Sequence, residues 1–224
     1  RVDRALCICT TMEEFGDVHA LALAYDNFWS TVGVHPDNEG VQEPSVEDLL
    51  AKAGLPRVVA IGETGLDYYG MEDRKGGRSV ADLEWQRDRF RTHIRAARAC
   101  AKPLIIHTRS ASDDTLAILR EEGEDGAGNI AGGVFHCFTE SMQVARAALD
   151  LGYYLSFSGI ITFKKSQALR DSFASVPLER LLVETDSPYL APETYRGKPC
   201  EPAYTAYTAR KLAEVKSVSV EELV

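Results

Sequence analysis

Seven short apolar runs, separated by helical patterns, constrain this chain more than any other feature. They lie at residues 5–10, 28–34, 57–63, 102–107, 131–136, 152–158 and 181–186. Apolar runs of this length bounded by turn residues read as buried strands. Amphipathic patterns at 12–26, 45–53, 81–101, 112–122, 140–151, 166–175 and 203–215 read as helices, with the start of another at 219–224. Strand and helix in regular alternation specify a parallel sheet. The expected fold class is α/β, a TIM (β/α)8 barrel, in which the strand C-termini open onto one face. A closed barrel needs eight strands and typically about 250 residues. This chain has seven runs in 224 residues, opens directly before a strand and stops within a helix. The expectation is one barrel domain over residues 1–224 without its first strand and the end of its last helix.

Local signals support individual elements. Ser45 is a plausible N-cap with Asp48 at the third helical position. Leu83, Phe90, Ile94 and Ala97 form the apolar stripe of the longest helix. A polar, Gly-rich stretch at 69–79 is long for a loop, and such loops are more often functional than idle.

Four strands end on a metal-binding side chain: Glu63, His107, His136 and Asp186. On strands opening to one face, these residues converge. Zn²⁺, Mn²⁺ and similar ions accept imidazole nitrogen and carboxylate oxygen. Glu63, placed centrally, suits a carboxylate bridging two metals, and a two-metal site clamps both oxygens of a phosphoryl transfer. His35, at another strand end, is positioned to bind a phosphate oxygen or shuttle a proton. Arg109 suits bidentate phosphate binding, Tyr68 and Tyr69 suit stacking on a base, and Arg196 is a further phosphate-binding candidate. His19 and His93 lie inside helical patterns and read as structural or exposed.

The formal net charge is −9. A duplex-binding protein usually shows a basic stripe, so any phosphate here is held locally. No apolar run approaches the roughly 18 residues of a membrane span. Five cysteines, an odd number in no disulfide pattern, fit reduced thiols and a cytoplasmic location. Cys7 and Cys9 share one strand face and read as small core residues.

Gly33-Val-His-Pro36, Gly62-Glu-Thr-Gly-Leu-Asp-Tyr68, Pro103-Leu-Ile-Ile-His-Thr-Arg109, His136-Cys-Phe138, Ser156-Phe-Ser-Gly159 and Glu184-Thr-Asp-Ser-Pro-Tyr-Leu-Ala-Pro192 together resemble the TatD-type metal-dependent deoxyribonucleases. The resemblance runs nearly end to end. It implies a metallo-dependent hydrolase barrel holding two divalent ions (Mg, Mn or Zn). Glu63 would bridge them, with His107 and His136 on one ion and Asp186 on the other. It also implies hydrolysis of DNA phosphodiesters, with 3′–5′ exonuclease character on single strands or 3′ ends. The family's first-strand His-x-His is not found here, in line with the missing strand, and Cys200 stands where the family usually has Asn. Asp186 and Glu63 are then the catalytic carboxylates, Asp186 accepting a proton from the nucleophile. The alternatives are a barrel amidohydrolase or phosphotriesterase-like hydrolase acting on a small substrate, and a non-catalytic metal-binding barrel. The expected partner is DNA, with no membrane, and a monomer is the simplest assembly.

Overall fold

The computed structural model describes residues 2–71, 76–126, 128 and 130–223. Residues 72–75 of the expected functional loop and Val224 of the expected last helix lie outside that set. The chain divides into two compact units, Asp3–Val134 and Phe135–Val224, the latter with Arg1–Val2.

The first unit contains β1 (Ala5–Cys7), α1 (Phe15–Ala24), β2 (Phe28–Val32), α2 (Val46–Ala53), β3 (Val58–Asp67), α3 (Glu84–Cys100), β4 (Leu104–Arg109) and α4 (Ser112–Glu121). Its strands pair in parallel and in chain order, β1 with β2, β2 with β3 and β3 with β4. Ala60, Ile105 and Val134 form a buried cluster with Ile8 against it, one residue from each of four neighbouring chain segments. β1 is shorter than the expected run because its continuation bonds elsewhere. The Cys9 carbonyl accepts the Glu63 N–H at 2.9 Å, and the Thr10 carbonyl accepts the His35 N–H at 2.9 Å.

β3 is longer than expected and runs past Glu63 to Asp67. The register between β3 and β4 shifts between Ile61 and Thr64 and then resumes, with Gly65 opposite His107. A Cβ on Gly65 would lie 1.9 Å from the His107 carbonyl oxygen, so only glycine lets the strands approach here. The Ser45 cap of α2 forms as expected: its side chain accepts the Asp48 N–H, and Asp48 answers to the Ser45 N–H. In α3 the expected stripe is buried, but Gln86, Arg89 and His93 are buried with it.

The second unit contains α5 (Met142–Asp150), β6 (Tyr154–Phe157), α6 (Gln167–Ala174), β7 (Leu181–Val183), α7 (Thr205–Lys216) and α8 (Val220–Leu223). The division falls within β5 (Gly133–Phe135). β6 and β7 pair in parallel. Beyond Val183 the chain stays bonded, the Glu184 N–H donating to the Phe157 carbonyl at 3.0 Å. Phe138, Phe157 and Phe173 pack edge to face in series. All seven expected strands form, and the class is α/β with parallel strands. Among the described residues no helix is long and apolar enough to cross a membrane.

Candidate metal groups

In the first unit the close approach of β3 and β4 brings Glu63 to His107. Glu63 Oε1 lies 3.2 Å from His107 Nδ1 and 3.4 Å from His35 Nε2. The His35 and His107 rings meet edge to face, with centroids 4.5 Å apart. Ligand atoms bound to one first-row ion at about 2.1 Å lie roughly 3–3.5 Å apart, so the Glu63–His107 spacing suits a shared ion. Glu63 is buried, and a mixed imidazole–carboxylate set is what such ions accept. His35 faces the same carboxylate with different chemistry. Its Nδ1 accepts the Asp37 N–H at 3.0 Å. A neutral imidazole carries one N–H, so the proton sits on Nε2 and points at Glu63. His35 therefore orients Glu63 rather than offering a lone pair to a metal.

α3 holds this group in place. Gln86 Oε1 accepts the Asp67 N–H at 3.0 Å, and Gln86 Nε2 donates to the Asp67 carbonyl at 3.3 Å. The Arg89 guanidinium, paired with Glu43, donates to the carbonyls of His35 at 2.8 Å and Asn38 at 2.9 Å. His93 Nδ1 donates to the Arg89 carbonyl while Nε2 accepts the Val34 N–H at 3.0 Å. Burial holds His93 neutral, with its pKa pulled down to about 4. Its structural reading from sequence thus gains a definite task.

In the second unit His136, Glu184 and Asp186 form the other group. His136 follows β5, and Glu184 and Asp186 follow β7. His136 Nδ1 lies 3.1 Å from Glu184 Oε1. Burial pushes the Glu184 carboxyl up, but His136 beside it, with hydrogen bonds from Ser156 and the Cys137 N–H, holds it below its ordinary value overall. Asp186 has a left-handed backbone (φ 61°), and its carbonyl accepts the Tyr189 N–H at 2.8 Å. Cys200, buried, turns its thiol toward the Thr185 carbonyl at 3.8 Å. Burial pushes the Cys137 thiol up to about 12, which leaves it protonated near neutral pH.

In each of the two groups the ligand atoms lie within 4.8 Å of one another. Of the four expected ligands, Glu63 thus lies with His107 and His136 with Asp186. The placement of Glu63 and His107 differs from expectation, since both sit inside strands rather than at their ends. The substrate candidates divide. Arg109 lies over the Tyr69 ring at 3.6 Å, and Arg196 over the Phe163 ring at 3.9 Å. Tyr68 is corrected: it is 7% exposed. Its hydroxyl donates to Asp114 at 2.8 Å and accepts from Arg87 at 3.0 Å, so its ring packs rather than stacks on a base. Sequence reasoning passed over Glu184 and Asp67, although each stands in a motif already singled out. It also passed over Gln86 and Arg89, which are buried on α3 beside His93.

A family model described as "TatD related DNase" matches residues 1–224. The "Uncharacterized metal-dependent hydrolase YcfH" of Escherichia coli (strain K12) is 47% identical over 219 residues, 97% of this chain and 77% of that protein. The "3'-5' ssDNA/RNA exonuclease TatD" of Citrobacter rodentium is 32% identical over 228 residues, covering 99% of this chain and 82% of the relative. Among solved structures, YJJV, a TatD homologue from Escherichia coli K12, aligns with a TM-score of 0.87 at 29% identity, covering 99% of this chain and 82% of that one.

Proposed function

The chain belongs to the TatD family of metal-dependent hydrolases, and from that premise we propose that it is a divalent-metal-dependent deoxyribonuclease removing nucleotides from the 3′ ends of single-stranded DNA. The observation that carries this reading is the pair of His–carboxylate groups, each with its ligand atoms within 4.8 Å. The 3′–5′ polarity and the single-stranded substrate follow the Citrobacter relative.

In this reading Glu63, His107, His136 and Asp186 hold two divalent ions, Mg, Mn or Zn. The bound metal supplies Lewis acidity and a lowered pKa for the attacking water. Asp186 accepts the proton that water releases. The His35 Nε2–H orients the Glu63 carboxylate, and the Cys9 carbonyl holds the Glu63 backbone N–H. Arg109 and Arg196 grip phosphates. A guanidinium lying over an aromatic ring has its plane set, and its N–H edge can address two phosphate oxygens at once.

The test is hydrolysis of a 3′-accessible single-stranded oligonucleotide with Mg²⁺, Mn²⁺ or EDTA, using wild type and Glu63→Ala in parallel. The expected outcome is metal-dependent cleavage, absent with EDTA and reduced at least about 10²-fold in the variant. Cleavage that persists in Glu63→Ala, or none with any metal, would overturn the reading.

A further inference from the structure

Tyr189 is the most exposed large hydrophobic side chain among the described residues, at 70%. The chain has nine tyrosines. The other eight each meet a ring or a guanidinium. Tyr189, in the second unit, meets neither among the described residues. Single exposed apolar residues are ordinary on protein surfaces, and the backbone beneath this one sets it apart. Its N–H donates to the Asp186 carbonyl at 2.8 Å, closing a four-residue turn. The first and last Cα atoms of such a turn lie within about 7 Å. The Pro188 carbonyl accepts the Cys200 N–H at 2.8 Å. On the other side the Leu190 carbonyl packs on Gly159, where a Cβ would come within 2.2 Å of it. The Glu193 N–H then donates to Thr162 Oγ1 at 2.8 Å. Asp186 and Leu190, on either side of the turn, have φ of 61° and 56°. Residues other than glycine enter that region rarely and stay there only where their surroundings impose it. The loop is fixed, and the ring it carries reaches into solvent three residues from Asp186.

We infer that Tyr189 is the platform on which a base next to the cut phosphate stacks. This role rests on the deoxyribonuclease reading above, in which Asp186 holds an ion at that phosphate. A ring on a braced backbone binds with little conformational entropy to lose. Every base has a π-face, so such a ring holds a strand without reading its sequence. That suits an exonuclease, which meets a different base at each step. In a duplex the faces of a base are covered by its neighbours, so the ring also selects single strands.

The test is a cycle that removes the ring and the base separately and together. It compares kcat/KM in Mn²⁺ for a single-stranded oligonucleotide and for the same strand with abasic sugars at its last two 3′ positions. In wild type the abasic strand is expected to lose about 5–100-fold, mainly through KM. Tyr189→Ala is expected to lose as much on the intact strand, after which removing the bases costs no more than about twofold. Tyr189→Trp is expected to keep the wild-type value and Tyr189→Leu to lose it, since only tryptophan retains an aromatic face. The ring carries no charge, so the salt slope should be the same in Tyr189→Ala as in wild type. Losses that simply multiply, or a Tyr189→Leu enzyme equal to wild type, would overturn the role. So would a flattened salt slope, which would mean that the loop had moved and displaced Arg196. Binding of a 5′-fluorescein-labelled strand, followed by anisotropy, separates this role from the nuclease reading. Binding without cleavage in wild type, weakened in Tyr189→Ala, would sink the nuclease reading and leave the stacking in place. Cleavage with a multiplicative cycle would do the reverse, and neither binding nor cleavage would overturn both.

Discussion

His93 can gain a proton only by giving up the Val34 N–H that its Nε2 accepts. Its folded pKa, about 4, lies below the ordinary value of 6.5, so the unfolded chain binds the proton first. Stability from this residue is whole above about pH 6.5 and is lost as pH falls toward 4, by about 3 kcal/mol in all. Urea unfolding of wild type and His93→Asn across that range should show wild type losing more stability on acidification than the variant. Parallel pH profiles would refute this. At the same scale, residue chemistry was partly legible. Glu63, His107, His136 and Asp186 were identified as ligand types from their places in apolar runs. Tyr68 and Tyr69 could not be told apart, because adjacent aromatics in a loop carry no signal of which one turns inward. The fold sends Tyr68 to Asp114 and Arg87 and leaves Tyr69 under Arg109.

Elements were legible in number and order but less so in extent. Apolar periodicity ended β3 at Glu63, because Gly62-Glu-Thr-Gly65 breaks the pattern. Pairing with β4 carries the strand to Asp67 regardless. That extension makes Gly65 critical, since it lies opposite His107 at φ 125°. Gly65→Ala would drive a methyl group into the His107 carbonyl. The expected cost is about 3 kcal/mol, seen as a lowered thermal midpoint, with metal affinity falling as His107 is displaced. A variant of wild-type stability and affinity would show that the strands can part without consequence. α3 was legible by its stripe, Phe90, Ile94 and Ala97, with Leu83 just before its first turn, all fully buried. Gln86 and Arg89 were not, since a hydrophobic pattern gives a polar side chain no inward signal, and His93 was legible only as structural or exposed.

For the whole molecule, a net charge of −9 sets the long-range field against nucleic acid. In the proposed deoxyribonuclease, electrostatic affinity for the strand must then come from local cations. With the two proposed phosphate contacts, from Arg109 and Arg196, the slope of log kcat/KM against log salt for a single strand should be about −1.4, and Arg109→Ala should reduce it by about 0.7. A much steeper slope would mean a larger basic surface than these two residues provide. The α/β class, the order of strands and the candidate ligand side chains were legible in the sequence alone, because periodicity and residue chemistry are local properties. Tertiary structure decided which partner each ligand meets. His107 finds Asp67 across 40 residues, His136 finds Glu184 across 48, and Val34 finds His93 across 59. The placement of a ring proton depends on the acceptor that arrives beside it, and over such separations only packing of the folded chain brings one there.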